Sequence, residues 1–167
     1  RFQESSVECA SDDTALLDDM RRMFATMLAP EESQPINRVR VTHQAGTPHV
    51  RVDGTQAGLQ GEPGDALRKC YREVVRCFKN AHADLVWIHA GAAASDHGAI
   101  VLPGPWGHGK STLALELCRN GWQFLSDDIV PVDPRTQTAA PFPVTPKIRD
   151  GSNRVLSRDQ VSALSRR

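Results

Sequence analysis

The stretch from Ile100 to Leu117, IVLPGPWGHGKSTLALEL, constrains the chain more than any other. A short apolar run enters a cluster of glycines, meets Lys-Ser-Thr, and leaves in a pattern with helical spacing. It matches G-x-x-x-x-G-K-[ST] at Gly104, Gly109, Lys110 and Ser111, the Walker A spacing. Gly104, Gly107 and Gly109 let the backbone turn tightly and bring N–H groups up to phosphate oxygens. The helix that follows points its positive end at the same anion. Lys110 supplies charge to the β- and γ-phosphates, and Ser111, followed by Thr112, offers a hydroxyl to Mg²⁺. Pro105, Trp106 and His108 fill the variable positions. Trp106 reads equally as a cover for a phosphate or base and as a packing residue, and His108 reads as loop filler. A strand before the loop and a helix after it are the context this motif requires, so the expected fold class is α/β.

Residues 85–167 hold the rest of the recognisable chemistry. ADLVWIHAGAAA is an apolar run ending in His89 and small residues, and Gly98 to Leu102 form the short strand entering the loop. STLALELCRN reads as a helix with Leu113, Leu117 and Cys118 inward, stopped by Asn120-Gly121. GWQFLSDDIVPVD reads as a further strand ending in Asp127-Asp128. Strand C-terminal ends face the ligand crevice in open α/β sheets. A carboxylate there can hold Mg²⁺, directly or through water, and a second can take a proton from an attacking hydroxyl. The plain alternative is a solvated turn or a helix cap. His89, ending the strand before the one that enters the loop, is expected beside the phosphates, although a lone His is commonly just a satisfied polar residue.

Residues 1–84 read as a small α+β layer without nameable chemistry. FQESSVECAS looks like a strand leading into a turn. Leu16, Leu17, Met20, Met23, Phe24, Met27 and Leu28 then fall at helical spacing, with Asp12 or Asp13 as cap and Pro30 beyond the end. NRVRVTHQ and PHVRVDG alternate as strands around an AGTP turn. A second amphipathic helix follows, with Leu67, Cys70, Tyr71, Val74, Cys77, Phe78 and Ala81 inward.

At 40% hydrophobic and 24% charged residues the chain reads as a soluble globular protein. Twenty Lys and Arg balance twenty Asp and Glu, which predicts no nucleic-acid partner. Asp12, Asp13, Asp18 and Asp19 make the start acidic, while Arg154, Arg158, Arg166 and Arg167 make the tail basic; both read as solvated faces. Lys147, Arg149 and Arg154 read the same way, or as contacts for an acidic acceptor or a phosphate. No run is long enough to cross a bilayer, and no signal peptide is read. Cys9, Cys70, Cys77 and Cys118 lack CxxC spacing and read as buried reduced thiols, which fits a cytoplasmic protein. Opening on Arg1 rather than Met is expected of a trimmed chain or a fragment.

Taken together, IHAGAAA and GAIVLPGPWGHGKSTLALELCRNGWQFLSDDIVPVD resemble the catalytic core of the HPr kinase/phosphorylase family and its divergent relatives. The family pattern is a His before a short hairpin, a P-loop with an aliphatic helix, a Gly, then a strand ending in Asp-Asp. The resemblance covers about residues 85–145, and PFPVTPK, ending at Lys147, resembles the next stretch of the divergent members. It implies a core related to the nucleotide-binding part of phosphoenolpyruvate carboxykinase. It also implies that Lys110 and the glycine loop bind the phosphates of ATP and that Ser111 and Asp128 serve Mg²⁺. Asp127 and Asp128 divide base and metal duties, with His89 assisting. Family members often assemble into oligomers, which the sequence does not show here. The downstream signature with which HPr kinases engage HPr has no match. The implied activity is therefore an ATP-dependent kinase for a hydroxyl, a serine on a peptide or protein, such as the precursor of a lasso peptide. A P-loop NTPase, a nucleotide sensor and a small-molecule kinase remain as alternatives.

Overall fold

The computed structural model describes residues 2–44, 47–57, 66–105 and 107–144. Trp106, the turn at Ala45-Gly46 and the basic tail with Lys147, Arg149, Arg154, Arg158, Arg166 and Arg167 lie outside the described residues. The fold is mixed α/β, and the chain divides into two compact units, Arg1–Arg22 with Leu28–Ala83 and Met23–Met27 with Asp84–Arg167.

The first unit is built on a four-stranded sheet of β1 (Val7–Ser11), β2 (Asn37–Gln44), β3 (Thr47–Val52) and β4 (Thr55–Gln56), in that order. β1 lies parallel to β2, and the other pairs are antiparallel. β2 alternates buried Val39 and Val41 with exposed Arg38 and Arg40, the period of a strand with one wet face. Two helices belong to this part of the chain, α1 (Thr14–Met23) and α2 (Ala66–Ala81). α2 buries Cys70, Val74, Cys77 and Phe78 along one stripe. Asp13 caps α1, its Oδ1 accepting from the N–H groups of Ala15 and Leu16 at 2.9 and 3.1 Å. The sequence places Leu28 and Ala81 inward, but both are exposed. α1 ends at Met23 and the chain tightens into a 3-10 turn at Ala25–Met27. Three residues per turn instead of 3.6 rotates Leu28 off the apolar stripe.

The second unit carries β5 (Val86–Ser95), β6 (Gly98–Pro103), α3 (Lys110–Arg119), β7 (Gln123–Ser126), β8 (Ile129–Asp133) and β9 (Thr138–Ala139). Its five-stranded sheet runs β6-β5-β8-β9, with β7 also paired to β5. One face of β5 packs Ala93 with Leu115, Cys118 and Phe124 under α3. The other packs Ala90 and Ala92 with Leu125 and Val130. Three expectations are corrected here. β5 does not end at His89 but runs six residues further, with the small residues Gly91 and Ala93 beneath α3 and Ala90 and Ala92 on its other face. GWQFLSDDIVPVD is two strands, β7 and β8, with Asp127-Asp128 at the break between them. Leu113 is 50% exposed, since the inward face of α3 is Ala114, Leu115 and Cys118. Among the described residues no helix is long and apolar enough to cross a membrane.

Candidate functional site

β5 is the spine of the site. β6 pairs with one edge of it and β7 with the other, both antiparallel. β6 and β7 therefore run parallel to each other and end at the same end of the sheet. Pro103, the last residue of β6, stands opposite Ala90. On the other side Ser126, the last of β7, stands opposite Ala92, and the Ala90 N–H donates to the Asp128 carbonyl at 3.2 Å. The loop opening at Gly104 and the two carboxylates thus flank a single strand, about 10 Å apart at two strand spacings.

The carboxylates owe their position to an interrupted strand. Ser126 pairs with Ala92 and Ile129 with His89, so the register is the same on both sides of the break. Asp127 and Asp128 fill the positions facing Gly91 and Ala90 and form a bend between β7 and β8. The Ser126 hydroxyl closes that bend by donating to the Ile129 carbonyl at 2.6 Å. Asp127 is half-buried, with Oδ1 turned inside. The Asp128 side chain is 46% exposed, and its Oδ1 lies 3.1 Å from His89 Nδ1. The same nitrogen is 2.9 Å from the Asp128 carbonyl oxygen. A carbonyl oxygen only accepts, so Nδ1 carries the hydrogen, and Nε2 is left to meet an incoming group. The His89 side chain is 52% exposed, which keeps that nitrogen accessible.

The loop is shaped for an anion. Gly109 precedes α3 at φ 78°, a left-handed conformation that strains any residue with a Cβ, and it places no side-chain cap on the helix. The first N–H groups of α3 are consequently open to a ligand. Lys110 lies back across its own loop, with Nζ donating to the carbonyls of Gly104 and Pro105 at 2.9 and 3.1 Å. Ser111 and Thr112 are half-buried in the first turn, while His108 and Pro105 are exposed. α3 seats directly on β5 at Gly91, where a Cβ would come within 3.1 Å of the Lys110 carbonyl oxygen and 3.4 Å of Ala114 Cβ. This close approach ties the backbone of Lys110 to the strand that carries His89.

The structure therefore joins His89 to Asp128 directly and brings the loop and Asp127 to the same end of the sheet. Sequence reasoning missed Gly91 and Ser126. Their signals were present: a glycine two residues beyond the His in a run of small residues, and a hydroxyl just before the acidic pair. The Ser111 hydroxyl and the carboxylates of Asp127 and Asp128 are hard oxygen donors. They suit Mg²⁺, which takes few protein ligands when phosphate oxygens complete its shell. Among the described residues no group of three or more His, Cys, Asp and Glu could hold a metal unaided. Comparisons with protein-family models, with curated proteins and with solved structures return no match to this chain.

Proposed function

We propose that this chain is an ATP-dependent kinase of HPr kinase-like type, transferring the γ-phosphoryl group to a serine hydroxyl of a peptide or protein. One observation carries the reading: the glycine-rich loop after β6 and the acidic pair after β7 flank β5, the strand that carries His89, and His89 meets Asp128. The loop N–H groups and Lys110, swung off its carbonyls, hold the β- and γ-phosphates. Ser111 and an Asp carboxylate hold Mg²⁺, which when bound neutralises charge on the phosphates. Asp128, the member of the pair that meets His89, accepts the proton as the serine oxygen bonds to phosphorus. The bond from phosphorus to the β,γ-bridging oxygen breaks, and ADP leaves with its electrons. His89 orients Asp128 through Nδ1 and offers Nε2 to the phosphate. Asp127 is the carboxylate that would hold the metal. Cys70, Cys77 and Cys118 are free and buried, which supports the reducing cytoplasm as the compartment.

The test is transfer from γ-labelled ATP and Mg²⁺ to a library of serine peptides, with Asp127→Asn and Asp128→Asn alongside. Labelled peptide, reduced about 10²-fold or more in Asp128→Asn, supports the kinase and its base. Free phosphate without labelled peptide points to an ATPase instead. Nucleotide binding with neither product points to a sensor.

A further inference from the structure

Among the described residues β6 is the outer strand of its sheet, and it leads straight into the loop. Which of its backbone groups face outward follows from the register. The Ala90 N–H points across to Asp128, on the side of β5 away from β6. Bonding alternates along an antiparallel strand, so Gly91, Ala93 and Ser95 are the β5 residues that exchange bonds with β6. Their partners are Leu102, Ile100 and Gly98. The N–H and C=O groups of Ala99 and Val101 consequently point away from the sheet. Among the described residues no backbone hydrogen bond reaches them outside the sheet.

Natural edge strands are protected by charge, an internal proline or a bulge. β6, GAIVLP, carries no charge, shows no register shift against β5, and has proline only as its last residue. Gly98, Ala99 and Ile100 are exposed along it. Ile100 just before the loop and Leu113 just after it are both large apolar side chains left open to solvent, at 38% and 50%. An open, uncharged edge beside a catalytic loop is the form of a site that reads a peptide through its main chain.

We infer that the acceptor docks as an added β-strand on the outer edge of β6, its backbone bonding to Ala99 and Val101. This rests on the phosphotransfer reading above and gives it a mode of substrate recognition. A strand paired there lies one strand spacing, about 4.8 Å, from β6. Whichever way it runs, one of its ends arrives beside Gly104, where a serine can turn toward the loop. A second copy of this chain pairing through β6 would instead cover the edge next to the loop. Main-chain recognition demands an extended acceptor and little of its sequence, apart from the serine and an apolar residue to meet Ile100.

The experiment uses the best-labelled peptide from the serine library. Amide hydrogen exchange is followed at Ala99 and Val101, with and without that peptide. The expected result is new protection at these two amides, while Ile100 and Leu102, already bonded to β5, change little. Peptides N-methylated one position at a time should lose labelling with a period of two residues, about fivefold for each bond removed. In the protein, Val101→Pro should raise KM for the peptide by a similar factor and leave KM for ATP unmoved. A labelled peptide that protects neither amide and shows no two-residue period overturns the docking mode and leaves the kinase reading standing. No labelled peptide at all overturns both. Protection that appears with protein concentration alone, in a dimer indifferent to peptide, assigns the edge to self-association and overturns the inference.

Discussion

Gly91 lies in a strand yet its position is decided by the helix above it, and replacing it tests the architecture of the site. A Cβ at this position would stand 3.1 Å from the Lys110 carbonyl oxygen and 3.4 Å from both Lys110 C and Ala114 Cβ. The first is closer than ordinary van der Waals contact, and the atom met is backbone rather than the end of a flexible side chain. The first turn of α3 must therefore rise by a few tenths of an ångström in Gly91→Ala. Overpacking of this kind costs about 1–3 kcal/mol. The smaller entropy of an unfolded alanine returns about 0.4–1 kcal/mol. The net cost is roughly 0.5–2 kcal/mol, or about 1–8 °C in Tm for a chain of this size. Gly91→Val should lose more, because its methyls reach further into α3. The same displacement lifts the open N–H groups of α3 away from the phosphate position, so ATP affinity falls together with stability. Thermal melting and titration with a fluorescent ATP analogue measure the two effects. A Gly91→Ala protein as stable as the parent, with unchanged nucleotide affinity, would refute the reasoning that α3 is seated by this glycine.

Three further outcomes are expected. Lys110→Ala should weaken ATP binding about 10- to 100-fold by removing a charged donor, yet change the melting temperature little, since among the described residues Nζ bonds to two carbonyls of its own loop; calorimetric titration and a melt separate the two. Asp13→Ala should cost about 1 kcal/mol by uncapping α1, read as a shift in the urea midpoint without a change in slope. Asp53 accepts from the Asn37 side chain at 2.6 Å and from the Arg38 N–H at 2.8 Å, and these bonds hold its pKa below the ordinary 3.8. Because the folded pKa is depressed, its contribution is full above 3.8 and drains away as pH falls through the lower, folded value. Urea midpoints of Asp53→Asn should accordingly depend less on pH between about 5 and 3 than those of the parent.

Much of this organisation was legible because it is local. The loop from Gly104 to Thr112 declares itself through residue types whose spacing serves one geometry, and its flanking strand and helix fall where the periodicity puts them. The Asp13 cap and the alternation of Val39 and Val41 with arginines are equally local signals. What escaped depends on pairing between distant segments. An apolar run does not say where a strand stops once its residues become small, so β5 was cut at His89 although it continues to Ser95, with Gly91 and Ala93 beneath α3. The break at Asp127-Asp128 is invisible in a sequence that reads as one strand, because β8 resumes against β5 in the same register as β7 left it. Helical spacing put Leu113 inward with Leu117 and Cys118, whereas contact with Ala93 and Phe124 buries Leu115 and leaves Leu113 exposed. The acidic pair lies near the loop as anticipated, but for another reason. The sheet joining them is antiparallel, and β6 and β7 reach the same end only because each lies antiparallel to β5.

The central claim is that one strand gathers the loop, His89 and the acidic pair into a single phosphate site. Backbone amide NMR during titration with MgATP tests it most directly. The account predicts that the amides of Gly109, Lys110 and Ser111 shift together with those of His89 and Asp128, with one common dissociation constant, and that Lys110→Ala weakens all of them in parallel. Shifts confined to the loop, with His89 and Asp128 unmoved at saturation, would contradict it.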